Sequence, residues 1–361
     1  MSVTAELAGP ETETVTAASR VIEVRLDVPA DTCDAYVRAH PEGRTYHRRG
    51  WTDLIGRAFG HDTRYLAACV GDQVAGVLPL VVFRSPLFGR FAVSLPFVNY
   101  GGVLADDAAT AQVLLEAAIA QTRGAGGSHL ELRHTTRRFE ALQPKQHKVA
   151  MLLPLAETVD AQWQGLDRKL RNQVRKGEKS DLEVHVGGLE LLPTFYAVFA
   201  RNMRDLGTPV YGEGFFREVL STFPEETRIL AITHKGQPAA ASLVHWYRGT
   251  IEVPWASAIR EYNALSANVL LYWHMLKFSV EQGLGTFDFG RSTPGEGTYL
   301  FKKQWGAAPL PLVWEYWMAE GRTMPDMSPK NAKFSLAIDL WQRLPLAVAN
   351  ALGPHIVRNI P

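Results

Sequence analysis

Apolar positions in this chain recur in two patterns, alternating blocks of four to eight residues and stripes spaced three and four apart. Clusters of glycine, proline and small polar residues separate them. Alternation marks half-buried strands, and the wider spacing marks amphipathic helices. In the first half the patterns predict a strand over 21–26, helices over about 30–39 and 51–59, and a β-hairpin over 64–83. A strand over 91–95, a helix over 108–123 and a strand over 129–133 follow. The second half repeats the order: a strand over 182–186, helices over about 190–206 and 213–222, a hairpin over 228–247, a strand over 251–256, a helix over 264–282 and a strand over 286–289.

The two hairpins align without gaps. RYLAACVGDQVAGVLPLVVF (64–83) matches RILAITHKGQPAAASLVHWY (228–247) at Arg64/Arg228, Leu66/Leu230, Ala67/Ala231, Gln73/Gln237 and Ala75/Ala239. The last strands are also alike, Leu130-Glu131-Leu132-Arg133 against Phe287-Asp288-Phe289-Gly290-Arg291. Matched neighbours in matched order point to a duplicated domain. The order β–α–α–β–β–β–α–β resembles the GNAT acyltransferase fold. Two such domains in tandem resemble the FemAB family of aminoacyltransferases. The resemblance implies an α/β (α+β) chain with an N-terminal GNAT-like domain (20–150) and a C-terminal GNAT-like domain holding the transfer centre (151–320); the small, polar and acidic residues 1–19 read as a disordered leader, and 321–361 as a helical tail packed on the body. In the tail, a helix from about Ser335 places Ile338, Trp341 and Leu344 on one stripe and breaks at Pro345. Gly353-Pro354 is expected to stop the next segment.

With 361 residues and 46% hydrophobic content, the chain has material for two cores. A formal net charge of +1 excludes a globally basic nucleic-acid coat protein and gives no sign of a DNA partner. Two cysteines, Cys33 and Cys69, are too few for a disulfide framework, and the 11 histidines lack metal-ligand spacing, so no metal site is expected. The first 19 residues carry no basic, then apolar, signal pattern. No run of about 18 apolar residues is present. A cytoplasmic protein with at most peripheral membrane association fits these features.

Positive charge is concentrated instead in 167–179, DRKLRNQVRKGEK, where six of 13 residues are Lys or Arg. Leu166, Leu170 and Val174 form its apolar stripe. Arg168, Arg171 and Arg175 share an adjacent face, an array suited to phosphate. In FemAB-like proteins a basic helix of this kind opens the second domain, and this segment resembles it.

The segment 285–306, GTFDFGRSTPGEGTYLFKKQWG, puts Thr286 and Asp288 on one face of a strand and Phe287 and Phe289 on the other. A glycine-rich loop follows, then Tyr299-Leu300-Phe301-Lys302-Lys303. The run resembles the FemAB pattern, in which an adjacent Phe-Lys pair lies at the aminoacyl-transfer centre, so the resemblance assigns that role to Phe301 and Lys302. Lys302 would stabilise the oxyanion formed when an amine attacks an ester, and Phe301 would shape the donor pocket. Asp288 is either a salt-bridge partner of Arg291 or Lys302 or a catalytic group, and Asp288 and Glu252 are both candidates to assist deprotonation. Glu252 lies on the fourth strand of its domain, where many GNAT enzymes keep a general base. The loop holding Asn99 and Tyr100 resembles an acceptor-groove segment. His245 reads as a core or rim residue.

Gln121–Gly126 satisfies the QxxGxG pyrophosphate pattern of acetyl-CoA-binding GNAT enzymes, but it sits where a helix ends and a strand begins, the reverse of what phosphate binding requires. In the second half the corresponding segment, 259–266, has no glycine. No tightly bound cofactor is expected. The donor is aminoacyl-tRNA or acyl-CoA, and the first is favoured. The resemblance is strongest to bacterial FemAB-like proteins associated with exopolysaccharide and exosortase (PEP-CTERM) systems. It implies transfer of an aminoacyl or acyl group to an amine of a cell-envelope or exopolysaccharide precursor, with tRNA a possible partner. An acyl-CoA-dependent N-acyltransferase acting on an amino sugar, and a non-catalytic binding protein on this scaffold, are the alternatives.

Overall fold

Each half of the chain folds its helices onto one shared sheet. The computed structural model describes residues 21–86, 88–324 and 332–361, so the leader at 1–19 lies outside the described residues. The first half contributes β1 (Glu23–Arg25), α1 (Ala30–Ala39), α2 (Arg49–Phe59), β2 (Asp62–Val70), β3 (Gln73–Ser85), β4 (Gly89–Val93), β5 (Leu104–Ala105), α3 (Ala108–Gly124) and β6 (His129–His134). From there β7 (Gln143–Pro154), α4 (Val159–Gly165) and α5 (Arg168–Glu178) lead into the second half. That half comprises β8 (Leu182–Gly187), α6 (Leu192–Asp205), α7 (Glu213–Thr222), β9 (Thr227–His234), β10 (Gln237–Tyr247), β11 (Thr250–Ala258), α8 (Ala267–Glu281), β12 (Thr286–Ser292), α9 (Gly297–Lys303) and β13 (Ala308–Met318). The tail holds α10 (Ala332–Gln342) and α11 (Leu346–Val357).

The strand order is β1-β2-β3-β4-β6-β13-β7-β12-β11-β10-β9-β8, with β5 beside β3. The hairpins β2–β3 and β9–β10 hold mirrored places counted from the two ends, as the repeat predicts. Each half has one parallel junction, β4–β6 and β11–β12. The patterns did not reveal the two central strands. β13 leaves the second half to pair with β6, and β7 leaves the first to pair with β12. The expected division at 150/151 falls inside β7.

This exchange makes a core common to both halves. Trp51 and Leu54 of α2, Phe195 of α6, Phe215 and Phe216 of α7, and Trp314 of β13 are buried in one cluster. Truncating a buried phenylalanine such as Phe216 would cost about 3–5 kcal/mol. On the other face, Leu170 and Val174 of α5 pack with Leu270 and Leu271 of α8, and Phe287 and Phe289 enter the same cluster. The alternation read in β12 therefore holds. Asp167 caps α5 by accepting from Leu170 N at 2.7 Å.

Two glycine motifs at helix ends behave differently. The glycines of the QxxGxG pattern close α3 and precede β6, with Gly126 at φ +72°. Gly353-Pro354, however, does not stop a helix. α11 continues through both to Val357, and a Cβ at Gly353 would lie 2.9 Å from Val210 N and O. Glycine is needed there for close packing on the body, and that packing outweighs the break that proline favours.

Candidate active site

The site is built on the row where β11 and β12 pair. Their parallel register spans only Thr250–Glu252 and Thr286–Asp288 before the strands separate. Residues opposed on adjacent strands share a face, so Glu252 and Asp288 stand side by side about 4.8 Å apart at the backbone. Both are buried, at 6% and 1% exposure. Ile251, Val253, Phe287 and Phe289 point to the opposite core.

The first half closes the other side. Asn99 Nδ2 donates to Glu252 Oε1 at 3.2 Å, and the Tyr100 hydroxyl donates to Asp288 Oδ2 at 2.6 Å. These two residues sit on the loop after β4, and three bonds from β6 fix that loop. Arg133 Nη1 donates to Val98 O, Gly102 N donates to Arg133 O at 3.0 Å, and Val103 N donates to His134 Nε2 at 2.8 Å. The β6 side chains are themselves held by β13. Glu131 accepts from Arg133 Nε at 2.7 Å and from the Tyr316 hydroxyl at 2.6 Å, while His134 Nδ1 lies 2.7 Å from Glu315 Oε2.

A pocket of about 470 Å³ opens above the carboxylates, lined by Arg44, Tyr46, Tyr100, Arg133, His245 and Arg248 among others from both halves. The Arg44 guanidinium stands 4.5 Å over the Tyr100 ring. His245 Nε2 lies 2.6 Å from Thr45 Oγ1, and burial pushes its pKa down to about 3, so the ring is neutral. That agrees with its reading as a core residue at the rim.

Burial raises the pKa of both carboxyls, and each disfavours ionisation of the other. Asp288 holds the better set of compensating groups: the Tyr100 hydroxyl, the Gly290 N–H at 2.8 Å, and the charges of Arg44 and Lys302. Asp288 is therefore the member that ionises first, and Glu252 keeps a proton to higher pH. Gly290 makes this turn at φ +75°, where a Cβ would lie 3.1 Å from Val253 O.

Lys302 lies behind the pair and does not line the pocket. Its ammonium donates to the carbonyls of Gly290 at 3.0 Å and Arg291 at 2.9 Å. Burial pushes its pKa down to about 8 despite the nearby Asp288. The expected salt bridge of Asp288 to Arg291 or Lys302 is not formed within 4 Å among the described residues; the tyrosine and backbone donors take its place. Arg291 is exposed, 5.2 Å from the Trp314 ring. Tyr299 and Phe301 pack into the core on the far side of the sheet, with the Phe301 ring 4.9 Å from Tyr272. Site residues Asn99, Tyr100, Glu252, Asp288 and Lys302 thus converge, while Phe301, Tyr299 and Arg291 do not enter the pocket.

The basic helix stands apart from it. Arg168, Lys169, Asn172, Gln173 and Lys176 line a surface groove. Arg171 reaches Gln164 at 3.5 Å, and Arg175 lies 5.4 Å from the Trp163 ring. Sequence reasoning missed Arg44, Thr45 and Tyr46, which lie in a 3₁₀ turn between α1 and α2. Nothing in their spacing shows that they meet a strand 200 residues away.

Residues 165–303 match the family model for the Acetyltransferase (GNAT) domain. The second half therefore carries a GNAT acetyltransferase domain, and the chain as a whole has the fold of tandem GNAT proteins. Among solved structures, FemX superposes with a TM-score of 0.64 at 14% identity, covering 82% of this chain and 97% of that one. The C-terminal domain of a putative lysylphosphatidylglycerol synthetase from Agrobacterium fabrum gives 0.54 at 10% identity, covering 80% and 91%. A tandem GNAT protein from the clavulanic acid biosynthesis pathway gives 0.54 at 11%, covering 84% and 100%. No curated protein matches the sequence. The family match assigns an acyltransferase domain to the GNAT half that carries Glu252, Asp288 and Lys302.

The buried pair predicts a stability effect. Glu252 has a raised pKa in the fold, so between its unfolded value near 4.5 and the higher folded value the native state binds the extra proton. Stability from this group is complete below the lower value and is lost as pH rises through the upper one. Urea denaturation of Glu252→Gln across pH 4–9 should show a flatter profile than wild type, the slopes differing by up to about 1.4 kcal/mol per pH unit. Parallel profiles would mean that Glu252 titrates normally.

Proposed function

We propose that this acyltransferase moves an aminoacyl or acyl group onto an amine of a cell-envelope or exopolysaccharide precursor in the pocket between its halves. The observation that carries this is the Glu252–Asp288 pair on the pocket floor. A carboxyl raised toward neutrality is suited to take a proton from an attacking ammonium or amine. Glu252 is the general base in this reading, and Asp288, kept ionised by its donors, sets the proton affinity of Glu252. Lys302 positions the Gly290 turn and balances the charge of Asp288. The second half (151–320) holds the transfer centre. The first (20–150) supplies the loop and rim, and the tail helices α10 and α11 brace both.

FemX and the putative lysylphosphatidylglycerol synthetase, similar in fold, support a cell-envelope acceptor. Two features support aminoacyl-tRNA as donor. Segment 259–266 forms a 3₁₀ turn whose Tyr262 and Ser266 N–H groups are bonded to Ile259 and Asn263 carbonyls, and it lacks the glycines of a coenzyme A cradle. The basic helix α5 offers phosphate contacts on the same half. The GNAT domain match favours the second reading, an acyl-CoA-dependent N-acyltransferase on an amino sugar.

Glu252→Gln should lower the transfer rate by about 100- to 10,000-fold, the usual worth of a positioned base. The assay offers aminoacyl-tRNA and acyl-CoA donors in parallel, and undiminished transfer removes Glu252 from the chemistry. Changing Arg168, Arg171 and Arg175 together to Gln should weaken tRNA binding and flatten its salt dependence, by roughly one unit of log–log slope per lost phosphate contact. Equal affinity and slope would leave α5 an ordinary solvated helix.

A further inference from the structure

Tyr46 is 1% exposed and lines the pocket, and its hydroxyl makes no hydrogen bond within 3.5 Å among the described residues, its neighbour being the Glu252 carboxyl. A buried hydroxyl left unsatisfied costs about 1–3 kcal/mol, so native proteins rarely keep one without a use. The ring is held firmly. Trp51 packs against it at 4.8 Å and Tyr100 at 6.1 Å. Its 3₁₀ turn is pinned by Thr45, which accepts from Trp51 Nε1 at 2.9 Å and meets His245. The hydroxyl therefore has a fixed aim, beside the Glu252 carboxyl and across from Asp288.

We propose that the Tyr46 hydroxyl is the hydrogen-bond donor to the reacting acyl oxygen. This rests on the transfer reading above. Lys302, assigned that task by family resemblance, has its ammonium committed to two backbone carbonyls and sits behind the floor. The Tyr46 hydroxyl stands beside the base and makes no hydrogen bond within 3.5 Å among the described residues. In the step, the amine nitrogen attacks the acyl carbon and forms the C–N bond. The carbonyl π pair moves to oxygen, where the Tyr46 O–H meets the developing charge. Glu252, as carboxylate, takes the proton from nitrogen. On collapse the carbonyl re-forms, and the bond to the ester oxygen or thioester sulfur breaks. Its pair leaves with that atom, which takes the proton back from Glu252 and so restores the carboxylate. Burial and the two carboxyls hold the Tyr46 pKa well above its ordinary value, so the hydroxyl stays a neutral donor throughout.

Tyr46→Phe tests this, with Glu252→Gln measured alongside. Hydroxylamine serves as amine probe, with acetyl-CoA and leucyl-tRNA as donors. For Tyr46→Phe we expect kcat to fall on the order of 100-fold, as when one oxyanion donor is removed, with KM within roughly two-fold. In the free protein Tm should stay equal or rise, because the variant deletes an unsatisfied group. A structural hydroxyl would give the opposite result, lowered Tm with kcat intact, and either half of that result overturns the proposal. If neither donor is turned over, the sign of the Tm change decides alone. Normal Tyr46→Phe beside inactive Glu252→Gln would remove Tyr46 and leave the site standing. Full activity of both variants would remove the site itself.

Discussion

Two carboxyl groups held side by side in a dry floor would repel each other if both were charged, and much of this structure meets that constraint. Asp288 receives a tyrosine hydroxyl, a backbone N–H and the charges of Arg44 and Lys302; Glu252 receives the Asn99 amide, with the Tyr46 hydroxyl and Arg44 nearby, and keeps its proton longer. The donors come from the first half. Their loop depends on Arg133 and His134, whose partners Glu131, Glu315 and Tyr316 depend in turn on β13. Because β13 is a strand of the second half lent to the first, each half holds the other's contribution in place.

The repeat shows how the halves diverged. Glu131 occupies the place in β6 that Asp288 occupies in β12, and each faces its neighbour across a parallel junction. In the first half that neighbour is Val93, and Glu131 is satisfied by Arg133 and Tyr316. In the second half the neighbour is Glu252, which leaves two acids for one set of donors. One copy has become a closed structural ion pair, and the other has kept a titratable pair facing a pocket.

Much of this was legible in the sequence. Alternation in 286–289 placed Asp288 opposite Phe287 and Phe289, and the ungapped match of the hairpins implied mirrored positions in the sheet. The exchange of β7 and β13 was not legible, because local pattern reports that a segment is extended and says nothing of its partner. The same limit hid the contact of Tyr46 and Thr45 with β10 and β11, made between residues about 200 apart. Lys302 was found by its neighbours, but the direction of its ammonium depends on the Gly290 turn, which only coordinates reveal. Gly353-Pro354 misled because packing against Val210 overrode local propensity.

The central claim is that Glu252 and Asp288 titrate as a linked pair, with Glu252 holding its proton toward neutral pH. Carboxyl ¹³C NMR of the full chain, with Glu252 assigned by loss of its signal in Glu252→Gln, measures this directly. The account predicts that Glu252 titrates well above the usual glutamate range and moves down when Asp288 is changed to Asn, since the neighbouring charge is then gone. A Glu252 signal titrating near 4.5 and unmoved by Asp288→Asn would contradict it.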